Sequence, residues 1–380
     1  MMRKDGKVLS TIPMDNIEPM MPDKEYGRFE DDRIMAESTY NILHGETYIV
    51  PKYFCFKKEG KSGIIDDKGT PVLPPQYPDF IRYDSTGTYF EVTIKDSTVQ
   101  IGGLFLRSIK DRIGKRLVVD RNGKFLFNNR YPHVELTGLT PYFKFSNTPR
   151  TDTSRWFRLG LVDKSGELLL NADYTSIDLN RRNRLFWVCK GKEPSIWYYR
   201  HAKDGLCGLF DPEKRTWILD CIYRKDESNS QRDEIVLTNM QTHKQGIVSP
   251  SGQVILPFVY DTIIVGKQSD VWAVAQNGQY QRYDVGKQIL DKEQYQYLAP
   301  IRFWIKNFSY EKRNGYSNDI DFFIAQKNNK WGLIHLDGSV VVPFTYDYAG
   351  ETDGNDYVAL VKGNQATVFS DWLFPLPDPR

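Results

Sequence analysis

WGLIHLDGSVVVPFTY, residues 331–346, reads as two short apolar runs around a polar turn, closed by an aromatic. The chain says nearly the same at residues 245–260, QGIVSPSGQVILPFVY, and at residues 62–77, SGIIDDKGTPVLPPQY. A glycine precedes a closing tyrosine by eight residues in five places: Gly69 and Tyr77, Gly123 and Tyr131, Gly166 and Tyr174, Gly252 and Tyr260, Gly338 and Tyr346. Gly286 to Tyr295 is one longer, and the unit ending at Tyr223 carries Arg215 in place of the glycine. Residues 26–40, ending on Tyr40, keep the frame with a shorter turn. Self-similarity at a period of 35–54 residues marks a solenoid, a propeller or another stacked array.

Within a unit the apolar runs are short, β-branched and punctuated by Gly and Pro, which predicts strands and excludes helix. Strand A (FFIA in the last unit) leads through a polar turn to strand B (WGLI), and a tight turn leads to strand C (VVVP). Asp66, Asp120 and Asp163 stand three residues before a turn glycine. Aspartate caps a type I turn on its own backbone, and glycine takes the left-handed conformation after it. These acids are therefore expected to be turn formers rather than a ring of catalytic carboxylates. The strand B glycines (Gly63, Gly160, Gly208, Gly246, Gly332) predict a bulge or a close backbone approach. Pro74, Pro257 and Pro343 predict that strand C ends or bulges there. The closing tyrosine is expected to bury its ring between units while its hydroxyl finds a polar partner.

KWGLIHLDGSVVVPFTYD (residues 330–347) resembles the WG-repeat family of bacterial proteins. The likeness is good at residues 245–261 and 62–77 and degenerate elsewhere, and Trp331 alone keeps the tryptophan. The resemblance implies an all-β fold of tandem antiparallel three-stranded repeats and no shared catalytic residues. Residues 1–380 then form one repeat domain of about eight units plus a split terminal unit. Residues 5–15 look like a turn plus strand C, with Met14 in the tyrosine place and Asp15 matching Asp347. Residues 356–371 supply strands A and B. A shared unit of this kind closes a propeller-like ring, which removes exposed strand edges. An open β array with atypical ends, or two separate β domains, are the alternatives.

Composition bounds the function. Of 380 residues, 40% are hydrophobic, 14% aromatic and 26% charged, as in a folded β-rich protein. A net charge of +2 gives no global pull toward nucleic acid or membrane. No apolar run is long enough for a membrane span, and the start lacks a signal-peptide core, so a cytoplasmic location is expected. The four cysteines are sparse, with no CxxC, and are expected to be buried free thiols. Cys189, His201, Cys207 and Cys221 match no compact zinc spacing. Ser195, His201 and Asp204 lie close in sequence, but no nucleophile elbow accompanies them. Gly102-Gly103 lacks the Lys-Ser/Thr of a phosphate loop. Glu91, Glu135 and Glu167 are acids that no sequence feature selects. No cofactor is called for.

The longest insertions fall at one topological place, the A–B turn of three consecutive units: residues 95–116, 144–158 and 190–206. In stacked repeats such insertions share one face, often the binding face. They hold fourteen basic residues against five acids. Arg107, Arg112, Arg150, Arg155, Trp156, Trp197, Tyr198, Tyr199 and Arg200 are the candidate binding residues, because Arg and aromatics make hot spots. The expected function is a non-enzymatic binding or scaffold protein that presents this basic, aromatic face to a protein or glycan partner or an anionic surface. A propeller-type hydrolase acting on glycans is the alternative. Nucleic acid is disfavoured, since no known module is present.

Overall fold

The structure, a computed structural model, describes residues 14, 16–20, 52–101, 109–147, 158–180, 182–191, 205–225, 234–266, 270–303, 320–351 and 357–370. Everything described is strand, turn or coil apart from one 3₁₀ turn, Leu126–Asn129. The unit ending on Tyr40 and the split unit's residues 5–13 lie outside the described residues.

The strands build consecutive antiparallel meanders. In the seventh sheet Tyr297–Phe303, Ile320–Lys327, Lys330–His335 and Val340–Tyr346 lie side by side in that order. The last three are strands A, B and C. The first begins just after the preceding closing tyrosine and is a fourth strand that the repeat pattern does not show; we term it the lead strand. The first sheet repeats the plan with Asn16–Pro19, Tyr53–Lys58, Lys61–Asp66 and Pro71–Tyr77. Its lead strand follows Met14 and Asp15 as the lead strand Tyr348–Glu351 follows Tyr346 and Asp347. That eighth sheet then supplies strands A and B, Tyr357–Lys362 and Gln365–Ser370, in keeping with the sequence reading.

The chain divides into two compact units, residues 1–221 and 222–380. Numbered by repeat, the sheets span residues 16–77, 79–120, 133–174, 176–225, 216–260, 262–290, 297–346 and 348–370, and the fourth and fifth are the two halves of one seven-stranded sheet. Strand Thr216–Lys225 ends the fourth sheet, and its Tyr223–Lys225 part pairs with Ile235–Asn239 of the fifth.

The repeated residues each have a physical cause. Gly69, Gly123, Gly166, Gly252 and Gly338 all sit at φ between 76° and 92°, and each donates its N–H to the carbonyl three residues back. Asp66 Oδ1 accepts from the Lys68 and Thr70 N–H groups, and Asp120 and Asp163 repeat the arrangement. The turn aspartates are turn formers, as expected. Arg215 adopts the glycine conformation at φ 57°, and its guanidinium grips Glu167 in the turn of the third sheet. That ion pair is what distinguishes Glu167.

Strand B and strand C slip register between Ser62, Ile64 and Ile65, and likewise in the third, fifth and seventh sheets. The slip falls beside Pro74, Pro257 and Pro343, the bulge that proline predicts. It drives a strand C carbonyl at the strand B glycine. A Cβ on Gly332 would lie 2.5 Å from the Val342 carbonyl, and one on Gly160 2.7 Å from that of Leu170.

Tyr77, Tyr131, Tyr260 and Tyr295 are buried, and Tyr77 Oη donates to the Gly123 carbonyl in the next sheet's turn at 3.2 Å. The residue after the tyrosine clamps neighbours. Asp347 pairs with Lys330 of its own unit and accepts the Gly363 N–H from the next sheet. Asp261 does the same with Lys244 and Asn277. Between sheets the core is aliphatic and aromatic, with Phe56, Phe90, Phe143, Phe186, Trp272 and Phe323 fully buried.

One expectation fails. Cys189 and Cys207 are directly opposed on strands A and B of the fourth sheet, with Cα atoms 4.1 Å apart, and form a disulfide rather than two buried thiols. Cys55 and Cys221 remain free. Thiol titration in guanidinium without reductant is therefore expected to count two thiols, and four after reduction. Four thiols before reduction would remove the bond.

Candidate functional site

The A–B turns that carry the insertions leave sheets two, three and four at the same end of each meander. The first insertion is a continuation of the sheet rather than a loop. Strands Tyr89–Ile101 and Ile109–Asp120 stay paired out to Ile101 and Ile109, with one register shift between Thr93 and Lys95. Arg112 lies in this ribbon opposite Thr98. Residues 102–108, 148–157 and 192–204 lie outside the described residues, and with them Arg107, Arg150, Arg155, Trp156, Trp197, Tyr198, Tyr199 and Arg200. The structure thus places the roots of the candidate face.

Those roots are joined by charge. Strand A carries one position that pairs with the residue two places after the WG-type tryptophan position on strand B. It holds Cys55, Trp187, Val236, Ala273, Ile324 and Ala359 in six sheets. In the second sheet it is Glu91 and in the third Lys144. Both are buried, Glu91 completely. Each faces an opposite charge on its lead strand: Arg82 opposes Glu91, and Glu135 opposes Lys144. The same register thus sets opposite charges across from each other with one polarity in one sheet and the reverse in the next.

The two pairs are stitched across the sheets. Arg82 Nε donates to Glu91 Oε2 at 3.0 Å. The Leu136 N–H donates to the same oxygen at 3.1 Å, and Arg82 Nη2 donates to the Leu136 carbonyl at 3.2 Å. The Arg82–Glu91 pair therefore satisfies both backbone groups of Leu136 on the third sheet's lead strand, groups that would otherwise be an open edge. Arg116, at the end of the first insertion, lies 3.6 Å from Glu91 Oε1 and donates to Glu135 Oε1 at 3.3 Å. His133 Nε2 stands 2.6 Å from Glu135 Oε1. Burial pushes the Glu135 carboxyl up, but the His133 hydrogen bond and the charges of His133, Arg116 and Lys144 outweigh it and hold the group well below the usual carboxylate range. Lys144 Nζ extends the chain to Asp178 of the fourth sheet at 4.0 Å. Arg158, the last residue of the second insertion, donates to the Gly191 carbonyl at the start of the third at 3.4 Å.

Glu91 and Glu135, which the sequence leaves unselected, are thus brought to one guanidinium. The signal for Glu91 is visible only once the strands are aligned: it and Lys144 put charge into a strand A position that is uncharged in the other six sheets. Among the described residues no three His, Cys, Asp or Glu side chains gather as a metal site, and no helix is long and apolar enough to cross a membrane.

The model of the WG containing repeat matches residues 331–365. No curated protein matches the chain in sequence. Similar solved structures include a eukaryotic initiation factor, 8% identical, covering 81% of this chain and 77% of that one at a TM-score of 0.28. Dipeptidyl peptidase 4 of Porphyromonas gingivalis is 9% identical over 72% of this chain and 49% of its own, at 0.29. The acylaminoacyl peptidase of Pyrococcus horikoshii is 10% identical over 72% and 48%, at 0.26. The chain spans about half the length of these two peptidases. At such TM-scores the likeness carries no argument about how the sheets are arranged or what the chain does.

Proposed function

We propose that this chain, which carries the WG repeat, is a non-enzymatic binding protein whose sheets hold three A–B insertions as one basic, aromatic face for a protein partner or another anionic surface. The supporting observation is the junction of the insertion roots. Arg116 and Lys144 belong to different insertions; Arg116 donates to Glu135, Lys144 stands opposite it on the neighbouring strand, and Arg158 ties the second insertion to the third. Such a network fixes the departure points of loops that themselves depart from the repeat. Rigid placement of the roots lowers the ordering cost on binding.

The repeat itself offers no chemistry, since its aspartates and glycines are spent on turns. The Glu91–Glu135 couple is the nearest approach to a hydrolytic pair. A glycosidase acid needs a carboxyl held above its usual range. Glu135 is held below it, and Glu91 is spent on Arg82 and Leu136.

Reversing charge at Arg107, Arg112, Arg155 and Arg200 to glutamate is expected to weaken partner capture by more than about tenfold, as loss of clustered Arg hot spots does. The circular dichroism spectrum should not change. Capture at the wild-type level would overturn the proposal.

A further inference from the structure

We infer that residues 222–380 hold a second binding site, a cleft between the sixth and seventh sheets that accepts a neutral, hydroxyl-rich ligand of the size of a mono- or disaccharide. The cleft holds about 500 Å³, within the range of small-molecule sites. It lies where the sixth sheet departs from the repeat. Its strand C is the two-residue Ile289–Leu290, where the fifth and seventh sheets have seven residues. Residues 292–294 leave the ladder, which the chain keeps at the Asp291 N–H bond to the Arg282 carbonyl and regains at the Tyr280–Tyr295 bridge.

A second departure meets the first. Arg282 takes the strand B position that is Leu333 in the seventh sheet, opposite Ala273. Its side chain is 13% exposed. Its Nη1 donates to the Leu336 carbonyl at 2.7 Å, and its Nη2 pairs with Asp291. Its Nε is buried without a hydrogen bond among the described residues. The guanidinium also fixes Gly338, where any Cβ would fall 2.3 Å from Nη2. Like Arg82 on Leu136, Arg282 ties a carbonyl of the next sheet, but it stands opposite Ala273 instead of a carboxylate and lines the cleft. Breaches of a repeat's local rules are expected where function is.

The lining decides the ligand. Two couples are closed by charge, Arg282 with Asp291 and Lys287 with Asp284 at 2.8 Å, and His335 stands 3.8 Å from Asp337. Val271, Ile289 and Leu336 supply apolar surface between them. An anion meets three carboxylates, and a cation finds two of the three already neutralised by Arg282 and Lys287. A neutral polyol faces neither penalty. It uses donors and acceptors that alternate around the cleft, and it lays its C–H face on the aliphatic strip.

The site is independent of the insertion face, which lies in residues 1–221, so either proposal can fail alone. The test uses the full chain and ligand-observed NMR. The probes are methyl glucosides, galactosides, mannosides and N-acetylglucosaminides and their disaccharides, with sulfate and spermidine as charged probes. At least one saccharide is expected to bind with a Kd of about 1 mM or tighter. Ile289→Trp fills the cleft from a position 57% exposed, and His335→Ala removes a donor. Each should weaken that binding about tenfold or more at an unchanged melting temperature. Lys287→Ala, on a side chain 74% exposed, serves if either variant melts early. No saccharide binding up to about 10 mM, saccharide binding that ignores all three variants, or displacement of a bound saccharide by sulfate or spermidine would each overturn the inference.

Discussion

Glu91→Ala is expected to lower the stability of residues 1–221 by about 3 kcal/mol, the low end for breaking a buried charge pair. The carboxylate is fully buried and holds Arg82, Arg116 and the Leu136 N–H. Its loss takes the carboxylate partner from Arg82 and the acceptor from the Leu136 N–H, while Arg116 keeps Glu135. Arg82 and Arg116 keep 22% and 25% exposure, so water recovers part of their solvation and the upper end of that range is not reached. Replacing both partners, Arg82→Met with Glu91→Leu, should recover most of the loss, because no buried charge is then left alone. Urea denaturation of the three proteins measures it. If the double variant falls as far as the single one, the carboxylate is not acting through its cation.

Gly208→Ala is expected to cost about 2–3 kcal/mol, the overpacking range for an unyielding neighbourhood. A Cβ there would lie 2.6 Å from the Leu219 carbonyl oxygen, 2.9 Å from the Asp220 carbonyl carbon and 2.9 Å from the Cys221 nitrogen. All three are backbone atoms, so no side chain can rotate away. Gly278→Ala is the control: a left-handed glycine whose Cβ would meet nothing within 4 Å. Its cost should stay near the roughly 1 kcal/mol of the backbone conformation alone. Thermal melts that rank the two equally would remove the carbonyl approach as the reason for the repeated glycine.

The module was legible because its signals are local and repeated. The Asp-x-x-Gly turn, the strand B glycine and the strand C proline each obey a rule that acts within a few residues. The structure returns all three as a capped turn, a carbonyl contact and a bulge. The lead strand was not legible. Stretches such as Thr262–Ile264 and Tyr348–Glu351 are three or four residues long and share no pattern, since their pairing is set by the tyrosine and aspartate before them. The disulfide was hidden by residues 190–206. With that insertion set aside, Val188 pairs with Gly208, and Cys189 falls opposite Cys207. The ion-pair roots were hidden for a related reason. Glu91 and Lys144 look like ordinary polar breaks in apolar runs until the registers of the sheets are compared.

The bond between Cys189 and Cys207 has a mechanical meaning for the segment it spans. It fastens the two stems of the third insertion, so Trp197, Tyr198, Tyr199 and Arg200 belong to a covalent ring rather than to an open chain. The ladder already holds these stems together out to Lys190 and Leu206, so the bond acts when the strands fray and keeps the loop shut. Reduction of the bond leaves that closure to the strand pairing alone.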